Sequence, residues 1–212
     1  CWRADYSGDA GVGVPVSSDP DDATNVSECF LVNPLQPTLT TQASDDVVLG
    51  TPISENAFAG LGGGIALDGR FTPVVEFMYA DFMWVAADQL FNQIGKARHM
   101  FGGTGAVPFV LRSKVAMGTG YGSQHSMDPA GIFATAPGWR IVAPSTPFDY
   151  VGLMNAALAI DDPVLVLEHV DLYGSSGAGP VDDYDVCLPV GAAAVRRSGS
   201  DVTVLTYLAM TS

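Results

Sequence analysis

From residue 47 onward the apolar positions follow two alternating rhythms. Short, almost continuous apolar runs recur at DVVLG, TPVVEFM (72–78), VPFVLRS, WRIVAPS (139–145) and PVLVLEHV, and each reads as a strand buried on both faces. Between them lie helical stretches. ENAFAGLGGGIALDG follows a turn and carries glycines that would let it lie close against a neighbour. DFMWVAADQLFNQIGKARHMF places Met83, Ala86, Ala87, Leu90, Phe91 and Ile94 at the spacing of one amphipathic helix. Pro147 opens PFDYVGLMNAALAI, as proline does at a first turn.

Strands alternating with helices predict crossover units, and hence a three-layer α/β/α fold around a mainly parallel sheet. Such sheets place their ligands at the carboxyl ends of the strands. Attention therefore goes to the loops at 50–55, 78–82, 113–128 and 144–147, of which the third is the longest. Residues 1–46 are rich in Gly, Ser, Thr, Asp and Pro, hold no sustained period, and read as a poorly ordered segment in which CFLVN supplies one strand. Residues 47–173 form the regular domain. Residues 174–212 read as a linker, GSSGAGPVDDYD, followed by two strand-like runs about SGSD that lead toward a further C-terminal domain.

Composition narrows the classes. Of 212 residues, 48% are hydrophobic and 15% charged, which suits a globular core, and no apolar run approaches the roughly 18 residues of a membrane span. The net charge of −14 argues against nucleic acid, whose binding needs clustered Lys and Arg. Cys1, Cys29 and Cys187 are far apart and odd in number, which favours a reducing compartment over a disulfide scaffold. The chain shows no signal-peptide pattern.

The strand-end loops offer four groups with chemistry. Glu55 precedes a helix, where an acid is also favoured by the helix dipole alone. Phe82 opens another helix, His125 lies in GSQHSMDPAGIF, and Glu168–His169 end a strand. There is no G-x-S-x-G elbow, no phosphate loop and no paired-cysteine metal site. GLGGGI departs from the dinucleotide fingerprint, since Ile65 stands where its third glycine would be.

TPISENAFAGLGGGIALDGRFTPVVEFMYADF, ADQLFNQIGKARHM, GGTGAVPFVLRS, GSQHSMDPAGIFATAPGWRIVAPSTPFDYVGLMNAALAIDDPVLVLEHVDLY and GSDVTVLTYLAM, in that order, resemble successive blocks of one family. It is the beta subunit of thiamine-diphosphate-dependent 2-oxo acid dehydrogenases, which act in pyruvate, branched-chain and acetoin metabolism. The resemblance runs from about Thr51 to Met210 and implies a pyrimidine-binding domain of the thiamine-diphosphate fold over 47–173. It implies that Glu55, with Ile53, meets the aminopyrimidine of the cofactor, that Phe82 packs on that ring, and that His125 faces the substrate where the lipoyl group arrives. It further implies potassium held by the backbone carbonyls of Phe109, Ala157, Leu158, Ile160 and Asp162.

The implied function is oxidative decarboxylation of a 2-oxo acid, pyruvate favoured, with acyl transfer to the lipoyl group of a transacylase, in a heterotetramer with an alpha subunit. The diphosphate and magnesium would be held by that alpha subunit, because GDAG at 8–11 with Asn33 matches the usual Gly-Asp-Gly…Asn motif only in part. The family's first segment, with its acidic loop, has no evident counterpart in 1–46, and its C-terminal domain is expected beyond TYLAM. Two alternatives stand beside this: a truncated, non-catalytic homologue, and a transketolase-like or deoxyxylulose-phosphate synthase-like thiamine enzyme. Either bacterial cytoplasm or mitochondrial matrix suits the resemblance.

Overall fold

A computed structural model describes residues 28–34, 47–179 and 184–211. The GDAG stretch, and the poor order expected of 1–27 and 35–46, lie outside the described residues. Among the described residues six strands form one sheet in the order β2-β1-β3-β4-β6-β5. They are β1 (Glu28–Pro34), β2 (Val47–Thr51), β3 (Phe71–Phe77), β4 (Val110–Val115), β5 (Arg140–Val142) and β6 (Val164–His169). The last four are mutually parallel, whereas β1 pairs antiparallel with both β2 and β3. Two reversals cancel. β2 therefore runs in the direction of the parallel strands, and its carboxyl end lies on the same edge as theirs.

Successive side chains point to opposite faces of the sheet, with the period of the pleat. Val75, Phe77, Leu111, Leu165 and Leu167 join Phe58, Ala59 and Ala66 of α1 (Glu55–Asp68), together with Leu90 and Ile94, in the larger core. Val110, Val164 and Val166 face the other way, toward Val142 and Ala157. The latter residue belongs to α4 (Pro147–Leu158). Helices thus cover both faces, and the expected three layers form. Close approach explains the glycines of α1: a Cβ at Gly62 would lie 2.7 Å from Val75 and 2.9 Å from Phe109, and one at Gly63 would lie 2.7 Å from Ile94.

The single amphipathic helix expected over 81–101 is instead three pieces. A 3₁₀ turn (Ala80–Trp84) leads to a π-helical segment (Asp88–Ile94), which continues as α2 (Gly95–Met100). The cause is Trp139. Its indole Nε1 donates to the Leu90 carbonyl at 3.0 Å, and the Gly95 N–H reaches that same carbonyl across five residues. An inserted side chain widens the ladder in this way. A short helix, α3 (Ala130–Thr135), is present that the hydrophobic pattern does not announce.

The two strands expected between residues 192 and 210 do not form. Val195, Val202, Val204 and Leu205 are exposed, and the chain there is irregular until a 3₁₀ turn at Leu208–Thr211. β-propensity is a preference for packing in a sheet, and no strand partners this segment among the described residues. The tail nevertheless returns to the domain. The Leu188 N–H donates to the Gly152 carbonyl at 3.0 Å, Tyr207 donates to Asp128 at 2.6 Å, and Leu208 is buried in the larger core.

α4 begins as its sequence predicts. Thr146 caps it, accepting from the Asp149 N–H at 3.1 Å, while the Asp149 carboxylate accepts from the Thr146 N–H and the Ser145 hydroxyl. Arg196 from the tail pairs with the same carboxylate. Burial works against that charge, and the bonds from Arg196, Thr146 and Ser145 outweigh it, lowering Asp149 to about 2. A depressed carboxylate stabilises the fold fully above its unfolded pKa near 4, and that contribution is lost as pH falls through about 2. The stability of Asp149→Asn should therefore fall less steeply than that of the wild type between about pH 4 and pH 2. Urea midpoints measured across that window check this, and parallel curves would contradict it.

A candidate active site at the carboxyl edge of the sheet

Each strand that ends at this edge delivers a polar or aromatic group. β2 ends at Thr51, and the chain turns at once into α1, whose first residue is Glu55. Glu55 is 7% exposed, although its carboxylate oxygens are not among the buried polar atoms left without a partner. An acid that served only the helix dipole would sit in solvent. Ile53, two residues earlier, is 81% exposed.

β3 ends at Phe77 and leads to Tyr79 and the 3₁₀ turn that carries Phe82. β4 ends at Val115 and leads into the long loop, where Gly118, Gly120 and Gly122 all adopt φ between +84° and +86°. Only glycine takes that conformation readily, so the alternating glycines of MGTGYG set the course of the loop. Asp81 joins the two segments by accepting from the Met127 N–H at 3.2 and 3.3 Å. Phe82 and His125 consequently meet, ring centroids 5.4 Å apart and nearly perpendicular. Tyr79 meets His125 on another side at 4.8 Å and 84°.

His169, at the end of β6, has a structural task. Its Nε2 lies 3.1 Å from the Met117 carbonyl, while its Nδ1 accepts from the Asp171 N–H at 3.3 Å. That pairing assigns the proton to Nε2 and ties the loop after β4 to the end of β6. Its neighbour Glu168 anchors a network that sequence reasoning missed. Arg112 donates to both Glu168 oxygens, at 2.8 and 2.9 Å, and to Glu76 at 2.8 Å. Tyr150 and Tyr173 also donate to Glu168, at 2.7 and 2.8 Å. Burial would raise the Glu168 pKa, but Arg112 and the two phenols hold it below the usual carboxylate range. Desolvation beside that charge pushes both tyrosines upward. These residues, with Lys114, Thr146 and His169, line a cavity of about 630 Å³ on the α4 face.

The five carbonyl positions implied for potassium gather elsewhere. Phe109 precedes β4, Ala157 and Leu158 end α4, and Ile160 and Asp162 lead into β6. They lie at the amino edge of the sheet, opposite Glu55, Phe82 and His125. The Phe109 carbonyl accepts from the Val164 N–H at 2.8 Å and the Ala157 carbonyl from the Ile160 N–H at 3.4 Å. Each such oxygen has a second lone pair. The Asp162 side chain is bound by Arg98 and Arg140. Among the described residues no three His, Cys, Asp or Glu side chains gather closely enough to hold a metal ion, and no helix is long and apolar enough to cross a membrane.

Comparison with known proteins follows the same lines. Residues 20–175 match the family model described as the transketolase pyrimidine binding domain, so the match begins within the segment before residue 46. The chain is 43% identical over 162 residues to the acetoin:2,6-dichlorophenolindophenol oxidoreductase subunit beta of Cupriavidus necator, covering 76% of this chain and 47% of that one. It is 40% identical over 167 residues to the 2-oxoisovalerate dehydrogenase subunit beta of Bacillus subtilis, with 78% and 50% covered. To the pyruvate dehydrogenase E1 component subunit beta of Porphyra purpurea it is 39% identical over 163 residues, with 77% and 48% covered. The chain spans about half the length of these curated relatives.

Proposed function

The chain belongs to the transketolase pyrimidine-binding domain family, and from that premise we propose that it is part of the beta subunit of a thiamine-diphosphate-dependent 2-oxo acid dehydrogenase. The observation that carries this reading is the contact of Phe82 with His125. Two residues 43 apart in sequence, assigned by resemblance to the cofactor and substrate sides of one site, stand 5.4 Å apart at the edge where such sheets bind ligands.

The residues suit the cofactor. Glu55 is largely buried at the start of α1, which suits a carboxyl group that shares a proton with a ring nitrogen. When bound, thiamine diphosphate supplies a thiazolium carbon that becomes a carbon nucleophile toward the 2-oxo acid carbonyl. Glu55 holds a proton at the aminopyrimidine nitrogen, shielded from water so that the proton is shared rather than lost. Phe82 gives that ring a flat apolar wall and Ile53 an exposed apolar contact. His125 orients the substrate and moves a proton on its side of the site, where the lipoyl group of the transacylase arrives. Magnesium and the diphosphate belong to the alpha subunit, and potassium to the carbonyls of Phe109, Ala157, Leu158, Ile160 and Asp162. The substrate is a small 2-oxo acid, pyruvate favoured, and the compartment bacterial cytoplasm or mitochondrial matrix.

Co-expression with an alpha subunit, followed by size-exclusion chromatography in thiamine diphosphate and magnesium, tests the half-site. The expected result is co-elution as a heterotetramer that carries cofactor and decarboxylates a 2-oxo acid. Separate elution of the two chains at micromolar concentration would overturn it.

A further inference from the structure

We propose that Tyr79 is a positioning residue for His125 and that Lys114 holds Tyr79 in place; the inference rests on the assignment of His125 to the substrate side of the site. The backbone gives His125 little support of its own. Its N–H makes one long bond, 3.3 Å to the Gly122 carbonyl, in a loop whose glycines at 118, 120 and 122 are all left-handed. One backbone bond does not fix the plane of an imidazole. Two rings do. Tyr79 and Phe82 both meet the imidazole nearly perpendicularly, at 84° and 76°, with centroids 4.8 and 5.4 Å away. Edge-to-face contact sets the positive edge of one ring against the negative face of another, so it fixes the plane of the imidazole as well as its place.

Tyr79 is itself clamped. The Lys114 ammonium lies 4.5 Å from the centroid of its ring, within cation–π range. Lys114 makes no ion pair or hydrogen bond among the described residues, so the Tyr79 ring is its protein partner there. Tyr121 packs on the ring as well, centroids 5.8 Å apart. The clamp links the end of β3, the end of β4 and the loop between β4 and α3, three segments that must hold together for His125 to face a substrate.

The test uses Tyr79→Leu, Tyr79→Phe and Lys114→Met in the full chain, alone and reconstituted with an alpha subunit. The Cε1–H NMR signal of His125, identified as the one lost in His125→Gln, reports the ring geometry directly through the ring currents of Tyr79 and Phe82. Tyr79→Leu is expected to move and broaden that signal while those of His99 and His169 stay put. In the complex it should lower kcat about 10- to 100-fold, the scale of a misplaced catalytic group, with KM within about twofold. Tyr79→Phe keeps the ring and should restore the signal and most of kcat, whereas Lys114→Met should fall between. An unmoved His125 signal with unchanged kcat in Tyr79→Leu overturns the proposal. Should that variant fail to fold, Lys114→Met decides on the same two readouts. A wild-type complex that turns over no 2-oxo acid would defeat the functional reading, while the NMR signal still decides whether Tyr79 seats His125.

Discussion

Glu55→Gln is expected to lower 2-oxo acid decarboxylation in the reconstituted complex by about 100-fold or more, while assembly with the alpha subunit persists. The two side chains have nearly the same volume, and the turn that positions residue 55 is held by backbone bonds. The Ala57 and Phe58 N–H groups reach the Ser54 carbonyl at 2.9 and 3.0 Å, and glutamine disturbs neither. What disappears is the capacity to take and return a proton. Stability should change little, because the residue keeps its volume and the backbone bonds of the turn. The variant thus separates chemistry from folding. Decarboxylation assayed with an artificial electron acceptor, beside a thermal unfolding curve, checks both halves, and undiminished turnover would remove Glu55 from the mechanism.

Arg112→Met should have the largest effect on stability, a loss of about 3–5 kcal/mol. The substitution fills much the same space but leaves Glu76 and Glu168 without their cation, with side chains 18% and 3% exposed. Glu168 would keep two phenol donors and face Glu76 across β4. For a chain of this length each kcal/mol shifts Tm by about 2–4 °C. Adding Glu76→Gln and Glu168→Gln to Arg112→Met should recover much of the loss, because breaking a buried pair costs more than replacing all of it by neutral groups. Urea midpoints of the single and triple variants measure this. A loss below about 1 kcal/mol in the single variant would mean that the network is dispensable.

These cases show what could be read from the residues. β3, β4 and β6 were legible because strands buried on both faces are apolar throughout. One sign within them could also have been read. TPVVEFM, VPFVLRS and PVLVLEHV each carry a charge near the carboxyl end, and the middle one is opposite in sign to its neighbours. In adjacent parallel strands that pattern is an ion-pair ladder. The start of α4 was legible because its cap is local. The π-helical segment was not, because the residue that widens it, Trp139, lies 49 positions from the carbonyl it takes. Residues 192–210 misled because alternating β-formers promise a strand only where a neighbouring edge accepts them. Of the candidate site, Glu55 and His125 stood out by their loops, and their roles came through resemblance. Tyr79 and Lys114 gave no signal, since their meeting depends on the sheet.

The π-helical segment also makes the site sensitive to residue count. A π turn is in effect an α-helix with one residue inserted. Removing any one residue between Asp88 and Ile94 would let the segment relax to the tighter pitch. The wide turn already absorbs that residue, so its removal would keep the turns on either side in phase, whereas one residue more would rotate everything before it by about 100° about the helix axis relative to Ile94, which is held in the core. The 3₁₀ turn bearing Phe82 would swing with it, taking Asp81 away from Met127 and the aromatic wall away from His125. The seven residues Asp88–Ile94 thus act as a spacer whose length, rather than whose side chains, sets the reach of the carboxyl edge of the sheet.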